Sequence, residues 1–287
     1  MRKTSLLKKL ILDEEILVMP VAHDAIAAKL IELTGFKAMA LGGYPTTATL
    51  LGKPDLSLIT LIEMVTHAKN IAEAADIPLF VDGDTGHGGV INVMRTVREF
   101  EKAGAAGMFI EDQLFPKRCG HMEGKQVIET DEMIAKIKAA VDARVDPDFV
   151  VCARTDALGV MGIDEAIERG NRYREAGADL VYVEAPTSKE EMLRINREVD
   201  APTLAIQIEG GKTPFFPTKE LQEFGYNAVA YALSTLYATA FAVRGVLKEL
   251  MDKGTTSGYW DKMFDFNEYN QFLGLEALRD KEQSYNK

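Results

Sequence analysis

The chain has 287 residues, 47% of them hydrophobic, and a formal net charge of −11. That length and apolar content suffice for one large core, and α/β barrels reach this size as a single domain, so one domain is expected over residues 1–287. The acidic balance excludes nucleic acid or an anionic membrane as the main partner, because both require a basic footprint.

In chain order, a short amphipathic helix is expected from about Ser5 to Leu12, and no long uncharged apolar stretch precedes Asp13. The N-terminus therefore predicts neither a signal peptide nor a membrane span. Ile16-Leu17-Val18-Met19-Pro20 reads as a first strand, and Ala22 to Leu33 shows helical spacing that stops at Gly35. Lys37–Leu41 follows as the second strand. Then the period repeats: helix Ser57–Ala75 to strand Pro78–Asp82, helix Asn92–Ala103 to strand Gly107–Glu111, and helix Asp131–Asp142 to strand Phe149–Arg154. Helix Ile163–Ala176 leads to strand Asp179–Glu184, helix Lys189–Val199 to Pro202–Gln207, and helix Thr218–Phe224 to Ala228–Ala232. Ala103-Gly104-Ala105 precedes Glu111 by the same interval at which Ala176-Gly177-Ala178 precedes Glu184. The repeated unit is a helix stopped by Gly, an apolar strand and an acid.

Eight apolar strands separated by amphipathic helices predict a parallel sheet closed into a (β/α)8 TIM barrel. A doubly wound open sheet is disfavoured because no early G-x-G-x-x-G opens a helix. Helix Thr235–Leu250 ends the repeat. Residues 253–287 carry Tyr259, Trp260, Phe264, Phe266, Tyr269 and Phe272 and form an expected helical extension, folded back or packed on a neighbouring subunit.

In a barrel, catalytic groups stand at the C-terminal strand ends. Asp82, Asp84, Glu111, Asp112, Arg154, Asp156 and Glu184 all fall there. So many carboxylates require a positive charge among them, and hard oxygen ligands without a histidine pair select Mg2+ or Mn2+. Asp82 and Asp84 are the expected ligands, with Glu111 close by. Arg154 has the planar fork that suits a substrate carboxylate. Cys119 sits in the polar, glycine-containing stretch Lys117-Arg118-Cys119-Gly120-His121. Lys117, Arg118 and His121 would lower its thiol pKa or help it donate and recover a proton. Cys152, inside an apolar run, reads as core, and two cysteines in such different contexts point to a reducing compartment, the cytoplasm. Gly210-Gly211 would offer backbone N–H groups after the seventh strand.

These motifs resemble the isocitrate lyase and phosphoenolpyruvate mutase superfamily. Val81-Asp82-Gly83-Asp84-Thr85-Gly86 resembles its metal-binding segment, and Ile110-Glu111-Asp112-Gln113 through Lys117-Arg118-Cys119-Gly120-His121 its lyase loop. Gly43-Tyr44, Leu51-Gly52-Lys53-Pro54-Asp55 and Glu209-Gly210-Gly211 look most like the 2,3-dimethylmalate lyase and petal-death-protein branch, with 2-methylisocitrate lyases next. The resemblance implies a Mg2+-dependent homotetramer with swapped C-terminal helices that cleaves a substituted 2-hydroxy dicarboxylate, 2,3-dimethylmalate, to pyruvate and propionate. It makes Cys119, Arg154, Glu111, Lys117 and His121 catalytic, and Gly42, Gly43, Tyr44, Asp55, Glu184, Gln207, Gly210 and Gly211 substrate-binding. Ile206 replaces an Asn of the methylisocitrate lyases, which favours a methyl-bearing substrate. Methylisocitrate cleavage, oxaloacetate hydrolysis or decarboxylation, and a silent metabolite-binding barrel are the alternatives, while Cys119 argues against a phosphonate mutase.

Overall fold

The computed structural model describes residues 1–286. Eight strands run in chain order: β1 (Leu17–Pro20), β2 (Met39–Leu41), β3 (Leu79–Asp82), β4 (Gly107–Glu111), β5 (Val150–Thr155), β6 (Leu180–Val183), β7 (Leu204–Gln207) and β8 (Ala228–Tyr231). All pairings are parallel. β2 to β6 form one arc of five and β1-β8-β7 an arc of three. Single parallel bridges, Val21 with Ala40 and Val181 with Thr203, join the two arcs, so the strands follow one another around a ring with two thin seams.

Side chains alternate between the two faces of a strand. One parity, including Met19, Phe80, Phe109, Cys152, Tyr182, Leu204 and Ala230, fills the barrel interior. The other, including Val81, Ile110, Val151 and Ala153, packs outward against Ile31, Ile71, Val97 and Ile137 of the covering helices. Those helices are α2 (Ala25–Leu33), α4 (Leu61–Ala74), α5 (Val90–Lys102) and α6 (Thr130–Ala143). Cys152 is interior core, as its apolar run implies.

Local signals set the helix ends. Asp24 accepts from the Ala27 N–H to start α2, and Thr60 with Glu63 makes a capping box for α4, which therefore begins at Leu61 rather than near Ser57. A helix not expected from the sequence, α3 (Gly43–Leu51), follows β2. Its threonines and its Pro45 are weak helix formers, but Pro is tolerated in a first turn. The Thr46 and Thr47 hydroxyls donate to the carbonyls of Gly42 and Gly43 four residues back. A four-residue helix, α7 (Leu158–Met161), is also inserted before α8 (Ile163–Glu175). Beyond them come α9 (Lys189–Glu198), α10 (Thr218–Phe224) and the long α11 (Ser234–Lys253).

The lead helix α1 (Lys3–Ile11) places Leu7 and Ile11 in the interior cluster with Leu17, Val150 and Leu180. Leu7 also lies against Gly107, the first residue of β4, so α1 closes the N-terminal end. The chain divides into compact units of residues 1–236 and 237–287. The second holds most of α11, a 3-10 turn (Ser257–Lys262), α12 (Phe266–Phe272) and α13 (Leu275–Tyr285), with Phe264 stacked on Phe272 and tilted against Tyr269. No helix among the described residues is long and apolar enough to cross a membrane.

Leu7 is fully buried. Leu7→Ala is expected to lower unfolding free energy by ~2–5 kcal/mol, read as an earlier urea midpoint at unchanged slope. A loss below ~1 kcal/mol would mean that α1 does not share the barrel core.

Candidate active site

The interior parity of β3, β4 and β5 ends in Asp82, Glu111 and Arg154, and Glu184 follows β6 in the same phase. Register places Glu111 directly beside Arg154, and Arg154 beside Tyr182. The loop after β3 brings in Asp84: the Gly83 N–H donates to the Phe109 carbonyl at 2.8 Å and the Glu111 N–H to the Asp84 carbonyl at 2.9 Å. A Cβ on Gly83 would stand 2.6 Å from the Phe109 carbonyl oxygen, so only glycine lets this loop lie so close to β4.

Six carboxylates (Asp55, Asp82, Asp84, Glu111, Asp156, Glu184) are buried here against three cations, Lys117, Lys125 and Arg154. Lys117 Nζ sits 2.7 Å from both Asp55 Oδ2 and Asp84 Oδ1. Burial alone would lower its pKa, but Asp84, Asp82, Glu111 and Asp55 together hold it well above the lysine range. Arg154 donates through Nε and Nη2 to Asp156 at 2.8 and 3.1 Å, while Nη1 lies 3.2 Å from Glu111 Oε2 and Nη2 also lies 3.3 Å from Glu184 Oε1. Its guanidinium stacks over Tyr182, 5.2 Å from the ring centre. Asp82 accepts from the Gly43 and Asp84 N–H groups, yet burial and the Asp84 charge still raise its pKa. Glu111 is raised well above the carboxylate range, first by burial, and neither of its oxygens has a hydrogen-bond donor. The negative charge is under-compensated, and hard oxygen donors in that condition suit a divalent cation. Among the described residues no three His, Cys, Asp or Glu side chains form a ready-made ligand cage; Mg2+ characteristically uses only one or two protein carboxylates.

The loop between β4 and α6 lies over these groups. Gly120 fits so tightly that a Cβ would collide with Glu184 Oε1 and stand 2.4 Å from Arg154 Nη2. Cys119 lines the cavity beneath it, together with Gly42, Gly43, Tyr44 and Asp55. The thiol is not activated as a nucleophile: burial pushes its pKa up to about 11, outweighing the hydrogen bond from the His121 N–H. Its flanking residues face elsewhere, which corrects the expectation of a lowered pKa. Lys117 serves Asp55 and Asp84. His121 Nδ1 accepts from the Lys212 N–H at 2.9 Å, which puts the proton of the neutral ring on Nε2, 3.8 Å from Glu184 Oε1. Burial lowers the His121 pKa, keeping it neutral.

Six expected site residues are absent from the cavity wall: Asp84, Glu111 and His121 stand behind it, against Lys117, Arg154 and Glu184, and Gln207, Gly210 and Gly211 lie away from it. Strand alternation turns Ile206 inward and Gln207 outward, where Gln207 Oε1 accepts from the Phe216 N–H. Gly210 and Gly211 stand outside the cavity, Gly211 packed against the His121 ring. Asp112 is also structural: it accepts from Thr155, Tyr173, Arg169 and the Asp156 N–H. Sequence reading missed the opposite, apolar wall of Val21, Leu204, Ile206, Ile208, Ala230 and Leu233, beyond Ile206 itself. Carrying the interior parity through β1, β7 and β8 would have found most of it. Lys125 was missed as well, and nothing in its local sequence marks it.

Residues 7–251 match the phosphoenolpyruvate phosphomutase family. The chain belongs to that family. It is 46% identical to 2,3-dimethylmalate lyase of Eubacterium barkeri, covering 99% of each chain. Identity is 42% to petal death protein of Dianthus caryophyllus (99% of this chain, 89% of the relative) and 44% to 2-methylisocitrate lyase of Aeropyrum pernix (97% and 90%). Among solved structures, oxaloacetate acetylhydrolase in complex with 3,3-difluorooxalacetate superposes with a TM-score of 0.94 at 34% identity, covering 99% of this chain and 97% of that one. Phosphonopyruvate hydrolase in complex with oxalate and Mg2+ does so with a TM-score of 0.91 at 28% identity over all of both chains. The lyase names among these phosphomutase-family relatives support a carbon–carbon lyase activity.

Because burial disfavours the thiolate, Cys119 is expected to stay protonated throughout the neutral range. The 240 nm absorbance difference between the wild type and Cys119→Ser should show no thiolate step until the pH nears 11. A step below pH ~8.5, the ordinary thiol value, would contradict the site geometry.

Proposed function

We propose that the protein is a Mg2+-dependent lyase that cleaves 2,3-dimethylmalate, or a close 2-hydroxy dicarboxylate with an alkyl branch at C3, to pyruvate and propionate. The observation that carries this reading is the division of the cavity. Its charged wall holds only two lysine or arginine side chains, Lys117 and Arg154, and its other wall is apolar. A substrate with two carboxylates and methyl branches suits both walls. A third carboxylate, as in methylisocitrate, would meet Ile206 and Leu204 without a counter-charge and would be costly to bury.

Asp82 and Asp84, with Glu111 alongside, would hold Mg2+; the Glu111 oxygens, which receive no hydrogen bond, and the excess of buried carboxylates support that assignment. A cation held there would supply positive charge that favours loss of the substrate's hydroxyl proton. In the site's own chemistry, the acid cluster accepts that proton, and the C2–C3 electron pair moves to C3 as C2 becomes a carbonyl. Arg154 faces the negative charge that develops on the departing carboxylate. Cys119, protonated at neutral pH, gives its proton to C3 and releases the saturated acid. The Cys119 loop excludes water while the carbanion-like fragment exists. Gly42, Gly43, Tyr44 and Glu184 shape the substrate position. Lys117 holds Asp55 and Asp84 in place, and His121 stands beside Glu184.

The exposed aromatics of the second unit, Trp260 and Phe266 among them, support a homotetramer in which C-terminal helices pack on neighbouring subunits. Two unpaired cysteines fit a cytoplasmic setting. A second reading, oxaloacetate hydrolysis, draws on the likeness to oxaloacetate acetylhydrolase.

With 2,3-dimethylmalate and Mg2+, pyruvate is expected to form, coupled to lactate dehydrogenase, and EDTA should abolish it. Cys119→Ser is expected to lower kcat by ~100-fold or more, the usual worth of a positioned general acid. Pyruvate mainly from 2-methylisocitrate would overturn the reading of the apolar wall. Oxalate and acetate from oxaloacetate, with no cleavage of either malate, would establish the second reading instead.

A further inference from the structure

Lys125 lies on the same β4–α6 loop as Cys119, six residues further on. Its side chain is only 5% exposed, although nothing of the lysine's local sequence suggests burial. The ammonium makes two short contacts: Nζ donates to the Gly120 carbonyl at 2.5 Å and to Asp156 Oδ1 at 2.8 Å. Asp156 is a fixed post. Its N–H donates to Asp112, which is itself held by Thr155, Tyr173 and Arg169, and its two oxygens receive the Nε and Nη2 fork of Arg154.

We propose that Lys125 is a positioning residue that latches the Cys119 loop shut, tying the carbonyl next to the thiol to the same carboxylate that orients Arg154. The loop has other anchors. Ser57 Oγ donates to the Lys117 carbonyl, Lys117 reaches Asp55 and Asp84, and Lys212 holds His121 and Glu123. Those contacts hold the two flanks of the turn. Only the Lys125 bridge joins Gly120 itself to the barrel. Gly120 in turn fills the space against Glu184 and Arg154, so a shift of its carbonyl moves the thiol and opens the cavity together. Asp156 links the two halves. With the latch engaged its charge is divided between Lys125 and Arg154, and with the latch released the whole carboxylate falls to Arg154. A closed loop and a guanidinium loosened enough to meet an incoming carboxylate thus go together. The catalytic consequence rests on the lyase reading above, whereas the closure of the loop over the thiol does not.

The test uses full-length protein and iodoacetamide at pH 8, with adducts counted by intact mass. Cys152 is fully buried in the barrel interior, so a single adduct reports Cys119. Lys125→Met is expected to be alkylated at least tenfold faster than the wild type, the order set by losing hydrogen bonds from a charged donor. Its thermal midpoint should hold within a few degrees, and Lys125→Arg should recover much of the protection. Where lyase turnover is measured, Lys125→Met should lower kcat far more than it changes KM. Equal alkylation rates for the wild type and Lys125→Met would overturn the latch. Two adducts per chain with a fallen thermal midpoint would overturn it too, by assigning Lys125 a general structural role. Alkylation is read without turnover, so absence of lyase activity on the substrates above leaves this result standing on its own.

Discussion

Buried negative charge is the constraint on which the rest of the site depends. Carboxylates on β3 and β4 and just after β5 and β6 are gathered at one end of the barrel because strand alternation turns them inward, and three cations do not balance them. Each feature around them reads as a response. Lys117 and Lys125 are drawn out of water against their own desolvation cost, Arg154 is gripped on three sides, and Asp82 and Glu111 are pushed toward the protonated form. Such a cluster is unstable on its own terms and would gain from a divalent cation.

Burial first, and the same excess charge after it, explain why Cys119 stays protonated. Solvent could stabilise a thiolate, and so could a neighbouring cation; the closed loop removes the first, and the carboxylates engage the cations that might have supplied the second. Neighbours in sequence were therefore a poor guide to neighbours in space. Lys117 and His121 flank the thiol along the chain, yet one turns to Asp55 and Asp84 and the other toward Glu184.

How much of this was legible follows from the range of the interactions. The eight strands and the covering helices were readable because period-two and period-3.6 patterns are local, and the acids were readable because they stand at strand ends. Helix α3 was not, since its threonines are held by back-bonds and by burial rather than by propensity. Gln207 was misplaced although the rule that corrects it, alternation from Leu204, was available. Lys125 lay beyond reach: its meaning comes from a carboxylate 31 positions away.

The two thin seams of the barrel have a further consequence. The five-strand arc carries Asp82, Glu111, Arg154 and the approach to Glu184, while the three-strand arc contributes Val21, Leu204, Ile206 and Ala230. Only single bridges connect the arcs, so the charged wall and the apolar wall are nearly independent parts of one ring. Evolution can retailor the second without retuning the first. A fold divided in this way is suited to spawn enzymes that share a bond-breaking apparatus and differ in what they admit to it.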